Sequence, residues 1–333
     1  SMFSPCFSFI VVALSLVSFA SCYQVSTADD LITLFYNAKG DTLETDIELL
    51  SDLDFSASNL TTSLGYISAF KCVAFSGVFH GNGYSIKGLR MNNTSGAEYN
   101  CAGLFCSLKG ATVENLVIDS SCSFTGSYAG ALSVSADGSL TVTNTTNKAT
   151  VTGFDGAGGF IGQISYLNQE SVLSFDGCVN DGFVTAGRTN AGGFVGFISG
   201  NSYMTVTISH STNNGRVIAD DTNTGGFVGS VSGNTNVTVI ISHSTNNGNV
   251  TVDDYIAGGF VGYITGTSSF PVAMTISHSI NNGNVTGSQR YIGGFIGYFG
   301  VGTGSISGCI NNGIIGQSWY VGGFVGFISG TGV

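Results

Sequence analysis

A five-residue block, Gly-Gly-Phe-(Val/Ile)-Gly, begins at Gly158, Gly192, Gly225, Gly258, Gly293 and Gly322, with gaps of 34, 33, 33, 35 and 29 residues. Each of the first five blocks is followed by an Asn-(Asn/Asp)-Gly triplet. These are Asn180-Asp181-Gly182, Asn213-Asn214-Gly215, Asn246-Asn247-Gly248, Asn281-Asn282-Gly283 and Asn311-Asn312-Gly313. A period of this size belongs to a stacked array, because one such unit cannot bury its apolar face alone. In the second repeat, three strand-like runs at 193–199, 204–211 and 216–219 are separated by Gly and Asn, with no helical period. Three short strands per coil of 27–35 residues predict an all-β parallel β-helix.

Period-2 alternation assigns the faces. Phe194, Gly196 and Ile198 are expected to share the inner face, with Val195 and Phe197 opposite. The Phe197 position reads Gln163, Ser230, Tyr263 and Tyr298 in other repeats, as an outward position would. Phe160, Phe194, Phe227, Phe260, Phe295 and Phe324 then form an internal aromatic column. In the second run Val206 and Ile208 point in, and Thr205 and Thr207 point out. The Asn-Asn-Gly triplets read as turns in which stacked Asn side chains bond along the column.

The chain can bury a large core, since 43% of its 333 residues are hydrophobic. Nine Lys and Arg against 20 Asp and Glu give a net charge of −11, which argues against nucleic acid and an anionic membrane surface as partners. Residues 7–20 form an apolar run of signal-peptide length followed by small residues, and too short for a membrane span. Residues 1–22 are therefore expected to be a secretory signal, with Ser1 ahead of Met2 left over from cloning. Seven Asn-x-Ser/Thr sequons, at Asn59, Asn92, Asn93, Asn144, Asn236, Asn249 and Asn284, are glycosylation candidates.

Residues 23–50 read as an N-terminal cap and a first strand. Thr27 and Asp30 stand at capping-box spacing, and Leu31, Leu34 and Phe35 share one face of a short helix over 26–37 that closes the first coil. Residues 51–333 are the repeat domain. Ala102-Gly103-Leu104-Phe105 and Ala129-Gly130-Ala131-Leu132 are degenerate versions of the block, with spacings of 27 and 29 residues to the next. The chain stops at Val333, just after the sixth block. That predicts an open coil edge, hence a longer natural chain or an end covered by a partner or by end-to-end association.

The segment 75–89 (FSGVFHGNGYSIKGL), then Ala102-Gly-Leu-Phe105 and the repeated Gly-Gly-Phe-Val-Gly and Asn-Asn-Gly blocks, resembles the GLUG-motif and polymorphic-membrane-protein-like repeats. These occur in bacterial and protist surface proteins with a pectin-lyase-like right-handed β-helix. The resemblance covers about 52–333. It implies that fold, an extracellular or cell-surface setting, and a stalk or adhesive role.

Candidate chemistry is sparse. Asp220-Asp221 and Asp253-Asp254 recur one coil apart and form either a solvated turn or a two-rung acidic patch for a hard cation. His210, His243 and His278 share a Ser-His-Ser context in successive repeats. They predict an imidazole column at the ~4.8 Å coil spacing, either packed rings or metal ligands. Gly177 and Gly308 stand at the same site elsewhere. Cys72, Cys101, Cys106 and Cys122 cluster in the irregular N-terminal region and are disulfide candidates. Cys178 and Cys309 lie four coils apart and are expected to be small buried thiols. A Thr-rich ice-binding face is hinted at by Thr205-Val206-Thr207, but the ladder breaks in the next repeats.

These features favour a secreted adhesin-like scaffold over an enzyme. The outward row Phe197, Tyr263, Tyr298 and Phe327 is the expected contact for a glycan or protein on a host or neighbouring cell, with no cofactor. A polysaccharide lyase or hydrolase is the enzymatic alternative, and it would place its acid and base among the paired aspartates. A passive stalk is the third reading.

Overall fold

The computed structural model describes residues 22–38, 41–57, 73–93, 102–165, 170–200, 202–233 and 235–329. The chain winds as a right-handed parallel β-helix. Among the described residues its strands form an 18-stranded, a nine-stranded and a 12-stranded sheet, and every pairing between them is parallel. The signal-like run 7–20 lies outside the described residues.

Each full coil contains more strand segments than the three runs predict. In the second repeat Val195–Gly200 and Met204–Ser209 both belong to the large sheet. Thr212–Asn213 supplies the narrow sheet, and Val217–Ala219 and Asn223–Gly225 supply the third. Part of the Asn-Asn-Gly turn is thus a strand, and a further strand leads into the Gly-Gly-Phe block. Two- and three-residue strands carry too little alternation to show a period on their own.

The glycines of the block are set by close approach. A Cβ at Gly192 would overlap the carbonyl oxygen of Val195 and press on the Gly229 nitrogen one coil on. A Cβ at Gly193 would strike the Gly226 oxygen and the side-chain amide of Asn213, so the next coil's backbone and the asparagine both close on this position. This bend also corrects the expected orientation of Val195. Its strand begins at Val195, so alternation does not reach back through the bend, and Phe194 and Val195 are both fully buried.

The interior is continuous. Phe160, Phe194, Phe227, Phe260 and Phe295 are fully buried, with successive ring centroids 4.7–4.9 Å apart. Phe324 continues the stack at 5.3 Å but is 43% exposed. In Met204–Ser209 buried and half-buried residues alternate strictly, with Val206 and Ile208 inside as expected. The degenerate blocks align one residue away from the predicted register. Ala129-Gly130 pairs with Ala157-Gly158, because the small residue before the first block glycine faces the core and must keep its column.

The helix Ala28–Tyr36 closes the N-terminal end. Thr27 and Asp30 form the capping box. Leu31 and Phe35 are buried, and Ile32 rather than Leu34 completes the buried face. Phe35 reaches Phe105 at 5.5 Å, so the helix seals the first coils.

Candidate functional site

The outward aromatic position of the large sheet forms one register column: Ser135, Gln163, Phe197, Ser230, Tyr263, Tyr298 and Phe327. Ser230 is buried and separates Phe197 from the rest, so the four predicted residues are not one row. Tyr263 and Tyr298 stack at 5.0 Å, and Tyr298 and Phe327 at 5.7 Å.

A second column, on the strand that enters the Gly-Gly-Phe bend, lies across from it. This column reads Tyr128, Gly156, Asn190, Asn223, Ile256, Tyr291 and Tyr320. Tyr291 touches Tyr298 at 5.3 Å, Phe327 at 4.7 Å and Tyr320 at 5.2 Å. Tyr263, Tyr291, Tyr298, Tyr320 and Phe327 therefore form one aromatic seam along the outside of the bend. Arg290, whose guanidinium lies 4.7 Å over the Tyr255 ring, flanks it. Burial pushes the Tyr263 phenol above its ordinary range. Tyr298 Oη is bonded to Ser329 Oγ at 2.6 Å.

Tyr263, Tyr291, Tyr298 and Phe327 are half-buried, and Tyr320 is exposed. Sequence reasoning missed Tyr291 and Tyr320. Their signal was spacing: each precedes its Gly-Gly by two residues, as Tyr298 and Phe327 follow it by four.

The histidines stack as predicted. His210 and His243 are 5.3 Å apart, and His243 and His278 5.0 Å with planes 8° from parallel. All three have positive φ, at 47°, 49° and 47°. Their register column reads Asn115, Asn144, Gly177, His210, His243, His278 and Gly308, every member left-handed. Backbone conformation thus selects Asn, Gly and His here. His210 Nδ1 meets Asp176 Oδ1 at 2.8 Å. That bond, with one from Ser209, holds the Asp176 carboxyl below its ordinary range.

Asp220 and Asp253 also stack in register, each amide bonded to the alanine carbonyl one coil back. Asp221 lies opposite Arg188, and Asp254 accepts from Gln289 Nε2 at 2.5 Å. Among the described residues no group of three or more His, Cys, Asp or Glu comes together to hold a metal. The acidic turn has two rungs, and the imidazoles meet face to face.

Cys122 is corrected as a disulfide candidate. It is a free, buried thiol pushed up to about 12 by burial. Cys106 is disulfide-bonded, while Cys72 and Cys101 lie outside the described residues. Cys178 is fully buried and pushed up to about 12 by the same cause, and Cys309 is half-buried. Of the sequon residues, Asn92, Asn144, Asn236 and Asn249 are exposed and Asn284 is half-buried. Asn93 lies in a strand, and Asn59 is outside the described residues. No described helix is long and apolar enough to cross a membrane.

No protein-family model and no curated protein sequence matches the chain. A solved structure from Bacteroides ovatus, described as a "putative immunoglobulin A1 protease", is similar with a TM-score of 0.50 and 18% identity. The likeness covers 92% of this chain and 85% of that one. At this identity it is a likeness of fold, and the fold it supports is the β-helix.

Proposed function

We propose that the chain is a secreted or cell-surface scaffold of the GLUG-repeat kind. It binds a glycan or protein on a host or neighbouring cell, in the manner of an adhesin and without chemistry of its own. The observation that supports this reading is the aromatic seam. Five rings and a nearby arginine sit outside consecutive coils of a rigid rod, and Tyr and Arg are the residues that most often carry interface energy. A tyrosine edge offers apolar area and a hydroxyl together, which suits a partner with mixed character. The rod repeats its surface along its axis, so weak contacts can add through multivalency.

The test is binding of the purified chain to whole cells and a glycan array, with product analysis of the same glycans. The double variant Y263S/Y298S places in the seam the residue already found at Ser135 and Ser230 of that column. Binding that falls about tenfold or more in this variant supports the reading. Unchanged binding overturns the seam as the contact. New cleavage products that disappear in a D220N/D221N/D253N/D254N variant overturn the non-catalytic reading.

A further inference from the structure

The histidine column lies in a different register column from the seam and stands independently of it. Its three exposed imidazoles repeat at 5.3 and 5.0 Å along the axis. One residue before each, Ser209, Ser242 and Ser277 form a parallel column of hydroxyls. Among the described residues, the titratable group against the stack is Asp176, whose Oδ1 meets His210 Nδ1 at 2.8 Å and accepts from Ser209 Oγ at 2.7 Å. The positions in register beyond its two ends are Gly177 and Gly308, and the hydroxyl column ends on Asp176 and Ser307.

An imidazole changes charge between about pH 5 and 8. On a chain of net charge −11 a row of imidazoles is a place where acid can add positive charge, and imidazolium groups one coil apart attract a polyanion that the rest of the surface repels. Like charges at this spacing oppose one another, and a bound row of anions removes that opposition, so protonation and polyanion binding assist each other reciprocally.

We propose that His210, His243 and His278 form an acid-activated binding stripe for a linear anionic polysaccharide. The imidazolium groups meet its carboxylates or sulfates, and the hydroxyls of Ser242 and Ser277 meet its sugar hydroxyls. The hydroxyl column favours a polysaccharide over a nucleic acid, whose bases would call for stacking surfaces that the mutually stacked rings do not offer.

The test uses the whole chain with alginate, dextran sulfate, uncharged dextran and a single-stranded oligonucleotide, at about pH 5.5 and pH 7.5 on either side of the imidazole range. Binding to alginate or dextran sulfate is expected to tighten by about tenfold or more at the lower pH, to weaken with salt, and to be absent for dextran. Which of the two binds tells carboxylate from sulfate. The triple variant H210N/H243N/H278N should bind no better at the lower pH. Asn144 holds the same left-handed position in the native column, so asparagine fits the backbone there. The single variant H243N, at the middle of the stack, should show an intermediate effect and serves if the triple variant does not fold. No pH dependence, pH dependence retained in the variants, or tighter binding to the oligonucleotide than to either polysaccharide overturns the proposal.

Discussion

The side-chain amide of Asn213 donates a 2.8 Å hydrogen bond to Oδ1 of Asn246, one coil further along the axis. The same bond links Asn147 to Asn180, Asn180 to Asn213, Asn246 to Asn281 and Asn281 to Asn311, mostly in full burial. One residue later a second ladder runs the other way on the surface. There Asn312, Asn282, Asn247 and Asn214 each donate to the coil before, ending on Asp181. A carboxylate accepts and cannot donate, so the acceptor end is the rung of this ladder where Asp fits.

The two ladders predict unequal costs. Asn246→Ala removes the bonds to Asn213 and Asn281 and the bond from Nδ2 to the Gly248 carbonyl, and leaves buried partners unsatisfied. A loss on the order of 3 kcal/mol is expected, because orphaned buried polar groups cost about 1–3 kcal/mol each. Asn247→Ala, whose partners can turn to water, should cost less than about 1 kcal/mol. Asn247→Asp sets two acceptors against each other at Asn214 and should cost more than the alanine. Denaturant midpoints at fixed slope measure all three, and equal losses would refute the ladder's role.

The left-handed column predicts a conformational ranking at His243. Gly and Asn should be tolerated within about 0.5 kcal/mol, the usual range for neutral surface changes. A β-branched Val at φ 49° should cost about 1–2 kcal/mol or more, since its Cβ meets the following carbonyl oxygen. Thermal unfolding of the three variants separates backbone conformation from ring stacking. If glycine costs as much as valine, stacking rather than φ holds the site.

Much of the coil was legible because its signals are periodic. The Phe227 column, the Val206 and Ile208 inward alternation and the Thr27–Asp30 cap each follow from one residue pattern with one physical cause. The seam was half legible. Tyr263 and Tyr298 lie on a strand long enough to show alternation, whereas Tyr291 begins a three-residue strand whose partner across the bend is a matter of folding. The burial of Val195 was misread for the same reason, since a bend made of glycines resets the alternation. The left-handed geometry was visible only in the list Asn, Gly, His, which chemistry alone would not group together.

Acid should weaken the N-terminal coils through Asp52. Lys87 Nζ bonds its carboxylate at 2.6 Å, and that bond with the Ser85 amide holds the carboxyl down to about 2. A lowered folded value means the contribution is complete above the free aspartate range, near about 3.9, and is lost as pH falls through about 2. Lys87 is raised by the same bond, so its share is present below the ordinary lysine range and is lost as pH climbs through the raised value. Both side chains are largely exposed, so the effect is modest and shrinks with salt. The stability advantage of the native chain over Asp52→Asn should therefore narrow between about pH 4 and pH 2. A gap that is constant across that range would remove the pair as its cause.

The phenylalanine column predicts a gradient along the axis. Phe227 sits between Phe194 and Phe260, with both centroids at 4.8 Å and no exposure. Its loss opens a cavity that neighbours on a stacked, hydrogen-bonded coil cannot collapse to fill. Phe227→Ala should therefore cost about 3–5 kcal/mol, the range for buried aromatic truncation. Phe324 contacts the ring of Phe295 on one side and is 43% exposed, so Phe324→Ala should cost clearly less. Phe227→Leu should recover much of the loss, because hydrophobic volume is largely kept. In a rod whose coils touch only their neighbours, the Phe227 variant should also unfold around its own coil before the ends. Hydrogen exchange reads this directly: amides of the coils on either side of Phe227 should lose protection first while those under the N-terminal helix keep theirs. Uniform loss along the chain would mean that the rod unfolds as one cooperative unit.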